Sequence, residues 1–463
     1  MIVILALAVA LPTVYLGGTI NPAGSLRHLP IGLIVEPQTT ADSAAGAATL
    51  VADAVRKGVD SQAISLIPMD KDKARREIGS GNLYGAVRIP SDFDAQISSL
   101  TSPAPGPAVN PTVYLDTAPA AGAMVVGLLT AQLAPVLMHV NAALGRQLSA
   151  ATANAGGVTS ATASALGTPF KTVTGPLIPL PTHTGSGTSV FYLALVLVLV
   201  GFVGASAMHP LIDSATGFQP NELGPLVRRR PYTHMSRLHL LLIKCALMLA
   251  ASPVAAGLVQ VVAGRLLSMP IPHPWYLWAF STSVISAIGL GALTVFALFG
   301  SVGPLVNMFF FIALAMTSSA GAIPLEAVPP FYRTISHFEP MRPVVKGLRS
   351  ILYFDLAADS GLRPAWLGVL TIGIAAVLCG LIFTRFFDRV PTLTRHPEPP
   401  PVIRRPAPKH RATRSYGRST DLSRSVTCER VPDRHGHSHA RYEQPRVPLL
   451  RSETDKTCPD AVR

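Results

Sequence analysis

The chain has 463 residues, 49% of them hydrophobic and only 14% charged, with a formal net charge of +13. Soluble domains carry roughly 25% charged residues, so the deficit excludes an ordinary soluble protein and points to membrane-embedded segments. The positive excess does not mark a nucleic-acid partner: Gly17–Gly187 hold ten basic and ten acidic residues, whereas Asp388–Arg463 hold sixteen against nine, and charge flanking apolar runs orients a protein in a bilayer and meets lipid headgroups.

Residues 1–18 read as a first transmembrane helix. The run MIVILALAVALPTVYLGG has no basic residue ahead of it. A signal peptide needs a charged n-region, so an uncleaved span is expected.

Residues 19–187 read as an extracytoplasmic α/β domain and linker. Apolar runs at Ile31–Pro37, Ala63–Met69, Leu83–Pro90 and Pro111–Thr117 predict strands, with helical patterns between them. Thr40 or Asp42 is the expected N-cap of the helix that stops at Gly58. Ala121–Gly145 contains no charged residue and has the length of a seventh span. Its polar Thr130, Gln132, His139 and Asn141, and the helical recurrence of Val126, Leu129, Leu133, Val136, Val140 and Leu144, favour a packed helix of the outer domain. Ser149–Gly187, rich in small residues, reads as the end of that helix and a linker. Asp92 and Asp94 flank Phe93, and acids at a helix start are more often caps than catalysts. The four cysteines, Cys245, Cys379, Cys428 and Cys458, all lie outside this domain, so no disulfide framework holds it.

Residues 188–387 read as five further spans: Thr188–Met208, Leu238–Val262, Tyr276–Gly300, Pro304–Ile323 and Ala365–Phe387. Ser301, Val302 and Gly303 leave room only for a tight helical hairpin between the third and fourth of these. Arg228, Arg229, Arg230 and Arg237 place the loop after the first of the five in the cytoplasm. Six spans with both termini inside then leave the α/β domain outside. One segment conflicts: Pro324–Pro364 falls outside yet holds Arg333, Arg342, Lys346, Arg349 and Arg363. In MRPVVKGLRSILYF, Arg342, Lys346 and Arg349 share one helical face and Val345, Leu348 and Leu352 another, so an interfacial helix is expected. Residues 388–463 read as a disordered, basic cytoplasmic tail, whose His435–His439 cluster is more often solvated than metal-bound.

Chemistry that other membrane machines carry is missing. No glycine-framed lysine forms a phosphate-cradling loop, so ATP drive requires another chain. The expected spans contain no acidic residue; Lys244 is expected to snorkel, and Gln260 and Asn307 to link helices. Ser283, Ser286, Gly289 and Gly291 mark close helix packing ahead of a substrate path. No cofactor, metal or catalytic constellation is expected, and an enzyme reading has no motif behind it.

Three passages carry a resemblance to a known group. They are LYGAVRIPSDFDAQI, with Gly85, Ala86, Ile89, Pro90, Asp92 and Phe93; PTVYLDTAPAAGAMVVGLL; and AGAIPLEAVPPFYRTISHFEPMRPVVKGLRSIL, with Pro324, Pro329, Phe331, Pro340, Gly347, Leu348 and Arg349. Together they resemble the YhgE/Pip group of the ABC-2-type permease superfamily, over roughly Met1 to Arg389. The resemblance implies a homodimeric permease-like protein of the plasma membrane, working with a separate ATPase and exporting a hydrophobic or cell-envelope substrate. It places the ATPase contact on the loop holding Asn221, Glu222, Arg228, Arg229 and Arg230. The alternative it implies is a structural accessory of a secretion or envelope complex, or a surface receptor, that binds a protein partner through its outer domain.

Overall fold

The computed structural model describes residues 2–38, 46–101, 110–153, 165–223, 225–228, 230–357 and 360–390. Helix α1 spans Ile2–Gly17. The segment after it builds a five-stranded sheet in the order β2-β1-β3-β4-β5. These strands are β1 (Leu29–Val35), β2 (Ile64–Pro68), β3 (Gly85–Ile89), β4 (Thr112–Thr117) and β5 (Lys171–Pro176). Strand β1 pairs parallel with β2 and β3, β3 antiparallel with β4, and β4 parallel with β5. Strand periodicity of two sends Leu29, Ile31 and Leu33 to one face, where α2 (Ala47–Gly58), α4 (Phe93–Thr101) and α5 (Ala123–Ala153) cover them. Ile34 and Ala86 point to the other face, against Ala74 and Ile78 of α3 (Lys71–Gly79).

Two expectations for this domain change. Strand β5 falls inside the expected linker: KTVTGP is almost wholly exposed along an edge and has no apolar face to announce it. The N-cap of α2 is Gly46, and Thr40 and Asp42 lie outside the described residues. The first turn is satisfied from a distance, because Asp94 Oδ1 accepts from the Ala48 N–H at 2.7 Å.

Among the described residues, five helical stretches are long and apolar enough to cross a membrane: Ala123–Thr152, Ser189–Ala215, Arg237–Leu266, Pro274–Ser318 and Leu362–Arg389. The molecule is a multi-pass membrane protein. The first stretch is α5, and its Leu129, Leu133, Leu137, Val140 and Leu144 are buried in the sheet core. The Asn141 side chain fixes it further, donating to the Phe170 carbonyl at 2.8 Å and accepting from the Phe170 N–H at 3.0 Å.

The helical bundle comprises α6 (Ser189–Ala215), α7 (Arg237–Val261), α8 (Pro274–Phe299), α9 (Gly303–Met308), α10 (Leu314–Ser318) and α13 (Leu362–Arg389). Pro274–Ser318 is not one straight rod. Asn307 Nδ2 donates to the Ala292 carbonyl at 3.1 Å, whereas fifteen residues of straight helix would separate them by about 22 Å. The chain turns back at Gly300, whose φ of +56° suits glycine. Gln260 similarly ties α7 to α8 through the Pro274 carbonyl at 3.0 Å. Gly289 lies so close to Met248 that a Cβ there would stand 2.2 Å from its methyl carbon, so it serves close packing of α8 on α7.

Helices α11 (Pro330–Ile335) and α12 (Met341–Tyr353) follow α10. The expected interfacial helix is α12, and its apolar face does not lie in lipid. Val345, Leu348 and Leu352 are buried in the bundle core with Phe280. Gly347 is needed there, since a Cβ would stand 2.2 Å from the Phe280 ring.

Candidate functional site

The sheet domain meets the bundle at a polar junction that draws on all three passages singled out in the sequence. Tyr84, one residue before β3, donates through its hydroxyl to Glu326 Oε2 at 2.9 Å. Burial, with the Glu326 charge beside it, pushes the Tyr84 hydroxyl far above its ordinary value. Arg349 of α12 donates through Nη2 to the carbonyls of Ala121, Ala320 and Gly321, at 2.9, 3.2 and 3.2 Å. One guanidinium therefore joins the start of α5, the end of the α10 arm and α12. Arg333 turns inward to the Leu325 and Glu326 carbonyls, at 3.3 and 3.4 Å. Glu339 accepts from the N–H groups of Met341 and Arg342, both at 2.9 Å, at the start of α12. Burial still pushes its carboxyl up to about 7, against the pull of those two bonds and of Arg342. The Lys346 amine is pushed down by burial and by Arg342 and Arg349.

At the opposite end of the bundle lies a buried ionic cluster. Helix α6 continues past the expected end at Met208 and carries His209 and Asp213 inward. Lys244 Nζ of α7 stands 2.5 Å from Asp213 Oδ1 and 3.0 Å from His209 Nδ1. His209 Nε2 lies 3.4 Å from Asp213 Oδ2, and the ring stacks on Phe296 at 4.7 Å between centroids. Lys244 thus does not snorkel: it is 3% exposed and its carboxylate partner 1%. A sequence reading takes Lys244 as isolated because its partner lies 31 residues away, beyond the apolar run. Nearby, the Asp388 carboxylate accepts from the N–H groups of Arg237 and Leu238, at 3.0 and 3.1 Å, and so caps α7.

Between these ends, α6 and α7 part into a lateral groove of about 550 Å³. Tyr192, Leu193, Val196, Leu258, Val262 and Leu267 form its walls, and His183, Thr188 and Ser189 its rim at the sheet-domain end. Ser189 exchanges a 2.8 Å hydrogen bond with the Tyr353 hydroxyl at the end of α12. A second lateral groove, about 400 Å³, is lined by Ser283, Ser286 and Leu290 of α8 and Gly373 and Ile374 of α13.

The residues expected to act fall into three sets. Asn221 and Glu222 lie on strand β6 (Asn221–Leu223) and Arg228 on β7 (Leu226–Arg228), a two-stranded hairpin at the end opposite the sheet domain. Asn221 pairs with Arg228 across it, Arg230 is exposed beyond it, and Arg229 lies outside the described residues. Gly85, Ala86, Ile89 and Phe93 are core positions, and a Cβ on Gly85 would meet the Asp116 carbonyl at 2.6 Å. Asp92 accepts from Gln96 Nε2 at 2.5 Å and Pro90 from Gln38 Nε2 at 3.0 Å, so both are local fastenings. Pro324, Pro329 and Pro340 stand at the N-caps of successive helical turns, Leu348 is buried and Phe331 is 61% exposed. The expected tail begins inside α13, which runs to Arg389; its residues from 391 onward, with the histidine cluster, lie outside the described residues. Among the described residues no three His, Cys, Asp or Glu side chains group as metal ligands.

A family model described as "Protein of unknown function (DUF3533)" matches residues 1–376. No curated protein and no solved structure matches the chain.

Proposed function

The chain belongs to that family, whose description assigns no activity, and we propose from its own residues that it is a permease-like protein moving a hydrophobic or cell-envelope substrate. The observation that carries this reading is the groove between α6 and α7. Its volume of about 550 Å³ falls in the range of small-ligand sites, roughly 300–1,000 Å³. Its walls are apolar and its polar rim lies only at the sheet-domain end, which suits an acyl chain with its headgroup toward that domain.

In this reading α1, α6, α7, α8, the α9–α10 arm and α13 are six spans of the plasma membrane. The sheet domain is outside and both termini are cytoplasmic. Three of the five basic residues that conflict with this orientation are engaged by protein: Arg349 and Arg333 by backbone carbonyls, and Arg342 with the Ser336 hydroxyl. Such engagement removes them from the loop charges that orientation counts. The hairpin Asn221–Arg228 then faces the cytoplasm, where a separate ATPase docks in the ABC-2-like reading.

A photoactivatable acyl-chain phospholipid in bilayer discs tests the groove. Labelling is expected to concentrate on Val196, Leu258 and Val262, and Leu258→Trp is expected to abolish it there. Equal labelling of Leu370 and Ile374 on α13 would leave the groove as ordinary lipid-facing surface. A second reading, a structural accessory that binds a protein partner, is favoured by Phe331 and Phe338, both strongly exposed beside the junction.

A further inference from the structure

Helix α7 does not finish in an ordinary α-turn. Val262–Leu266 form a turn of π-helix, in which the Leu267 N–H donates to the Val262 carbonyl at 3.0 Å. The Met269 N–H then donates to the Ala263 carbonyl at 3.0 Å, and Ser268 between them sits at a φ of +54°. Turns of π-helix are rare and gather at functional sites, and a non-glycine residue in the left-handed region adds a local cost. Gly264 lets the chain fold back on this turn, because a Cβ there would stand 2.9 Å from Ile271 Cδ1.

The turn opens onto a cavity of about 550 Å³ between the end of α7 and the start of α8, with Gln260, Val261, Arg265, Ile271, Trp275 and Trp278 in its lining. Its walls are held in place. Gln260 ties the two helices through the Pro274 carbonyl, and the Trp278 indole N–H donates to the Pro253 carbonyl at 3.0 Å. The Trp275 ring stands across Trp278 at 87°, with 6.4 Å between centroids, and is strongly exposed. Tryptophans at the end of a span take the headgroup level of a bilayer, so this cavity opens at the depth of lipid phosphates.

The charge in the cavity is one-sided. Among the described residues Arg265 is its only cation, and no acidic side chain lines it. The Arg265 guanidinium is exposed and has no hydrogen-bond or ion-pair partner among the described residues. Its planar fork of donors matches a phosphate group. Val254 and Val261 lie seven residues apart, share a face of α7 and are both exposed, which gives an acyl chain a track along the helix that carries Arg265.

We propose that this cavity holds the phosphate-bearing headgroup of a membrane phospholipid, with Arg265 on the phosphate and an acyl chain along Val261 and Val254. The site goes beyond the groove between α6 and α7 and does not rest on it. The two cavities share only Met269, and the photolabelling of that groove can fail while this site stands.

The test uses the full chain in bilayer discs made of galactolipid, which carries no phosphate. The chain has three tryptophans. Trp366, which packs on Phe280 with 5.2 Å between centroids, is replaced as Trp366→Phe to keep a ring there, so the remaining fluorescence comes from Trp275 and Trp278. A phosphatidylcholine with a nitroxide on its headgroup quenches an indole on contact. As this lipid is added, quenching is expected to saturate at about a tenth of the mole fraction that a further Arg265→Gln substitution requires, the size of one lost charge-assisted bond at an exposed site. Quenching that rises in simple proportion to mole fraction in the Trp366→Phe chain overturns the proposal without any further variant, as does an identical curve in Arg265→Gln. Unlabelled phosphatidylcholine is expected to restore the fluorescence and millimolar inorganic phosphate to leave it quenched. Recovery with inorganic phosphate would make this a site for free phosphate and overturn the lipid assignment.

Discussion

Lys244 and Arg349 are both cations held inside the protein, one at each end of the bundle, and they are satisfied by different means. Arg349 donates to three backbone carbonyls. A guanidinium does not lose its proton in a protein, and carbonyls do not titrate, so this clasp is permanent. Lys244 is held by a buried carboxylate and an imidazole, a charged pair in place of neutral dipoles. The sheet domain is thus fastened through uncharged acceptors, while the far ends of α6 and α7 are joined through an ion pair.

The largest effect is expected at the ion-paired end. Asp213→Asn removes the carboxylate beside the buried Lys244 ammonium, which costs about 3–5 kcal/mol. Thermal unfolding in bilayer discs would read this, and adding Lys244→Met should recover most of it. A single variant within about 1 kcal/mol of the parent would mean that solvent or another group already neutralises Lys244.

Glu339 is where the junction departs from permanence. Its folded carboxyl titrates at about 7 against an ordinary 4.5, so the folded state holds this proton more tightly than the unfolded one. Its contribution is full below pH 4.5 and is lost as pH rises through about 7. The total is about 3 kcal/mol at 1.36 kcal/mol per pH unit. Glu339→Gln is expected to flatten that part of the melting-temperature profile. An unchanged slope would mean that Glu339 does not carry this pH dependence.

Arg349→Met is expected to have the smallest effect, about 1.5–3 kcal/mol for the lost charge-assisted bonds, and to act equally at every pH. Limited proteolysis at the sheet-domain junction should accelerate with it. A pH-dependent loss would mean that a titrating group, and not the carbonyl clasp alone, holds Arg349 in place.

The sequence displays β1 to β4 plainly because each is a short apolar run between turn residues. It hides β5, since Lys171–Pro176 has no buried face and is held by pairing with β4 alone. The α8–α9 hairpin is legible from Ser301–Gly303, and Asn307 and Gln260 do link helices as expected. The triad is not legible: hydropathy ends the α6 run at Met208, five residues before Asp213, so Lys244 has no visible partner. The amphipathic pattern of α12 is correct as a pattern, but a hydrophobic face does not reveal whether it is covered by lipid or by Phe280. Periodicity likewise names the apolar stripe of α5 without saying that a sheet covers it.

The first helix finds its neighbours at the other end of the sequence. Val14 packs in one core with Ala313 and Tyr332, and the Tyr332 hydroxyl donates to the Thr13 carbonyl across 319 positions. At a synthesis rate of about 5–20 residues per second, α1 waits about 15–60 seconds before those partners exist. Throughout that interval α1 lacks the Ala313 and Tyr332 contacts that hold it in the finished molecule. The seat of an early helix is therefore completed by residues made late.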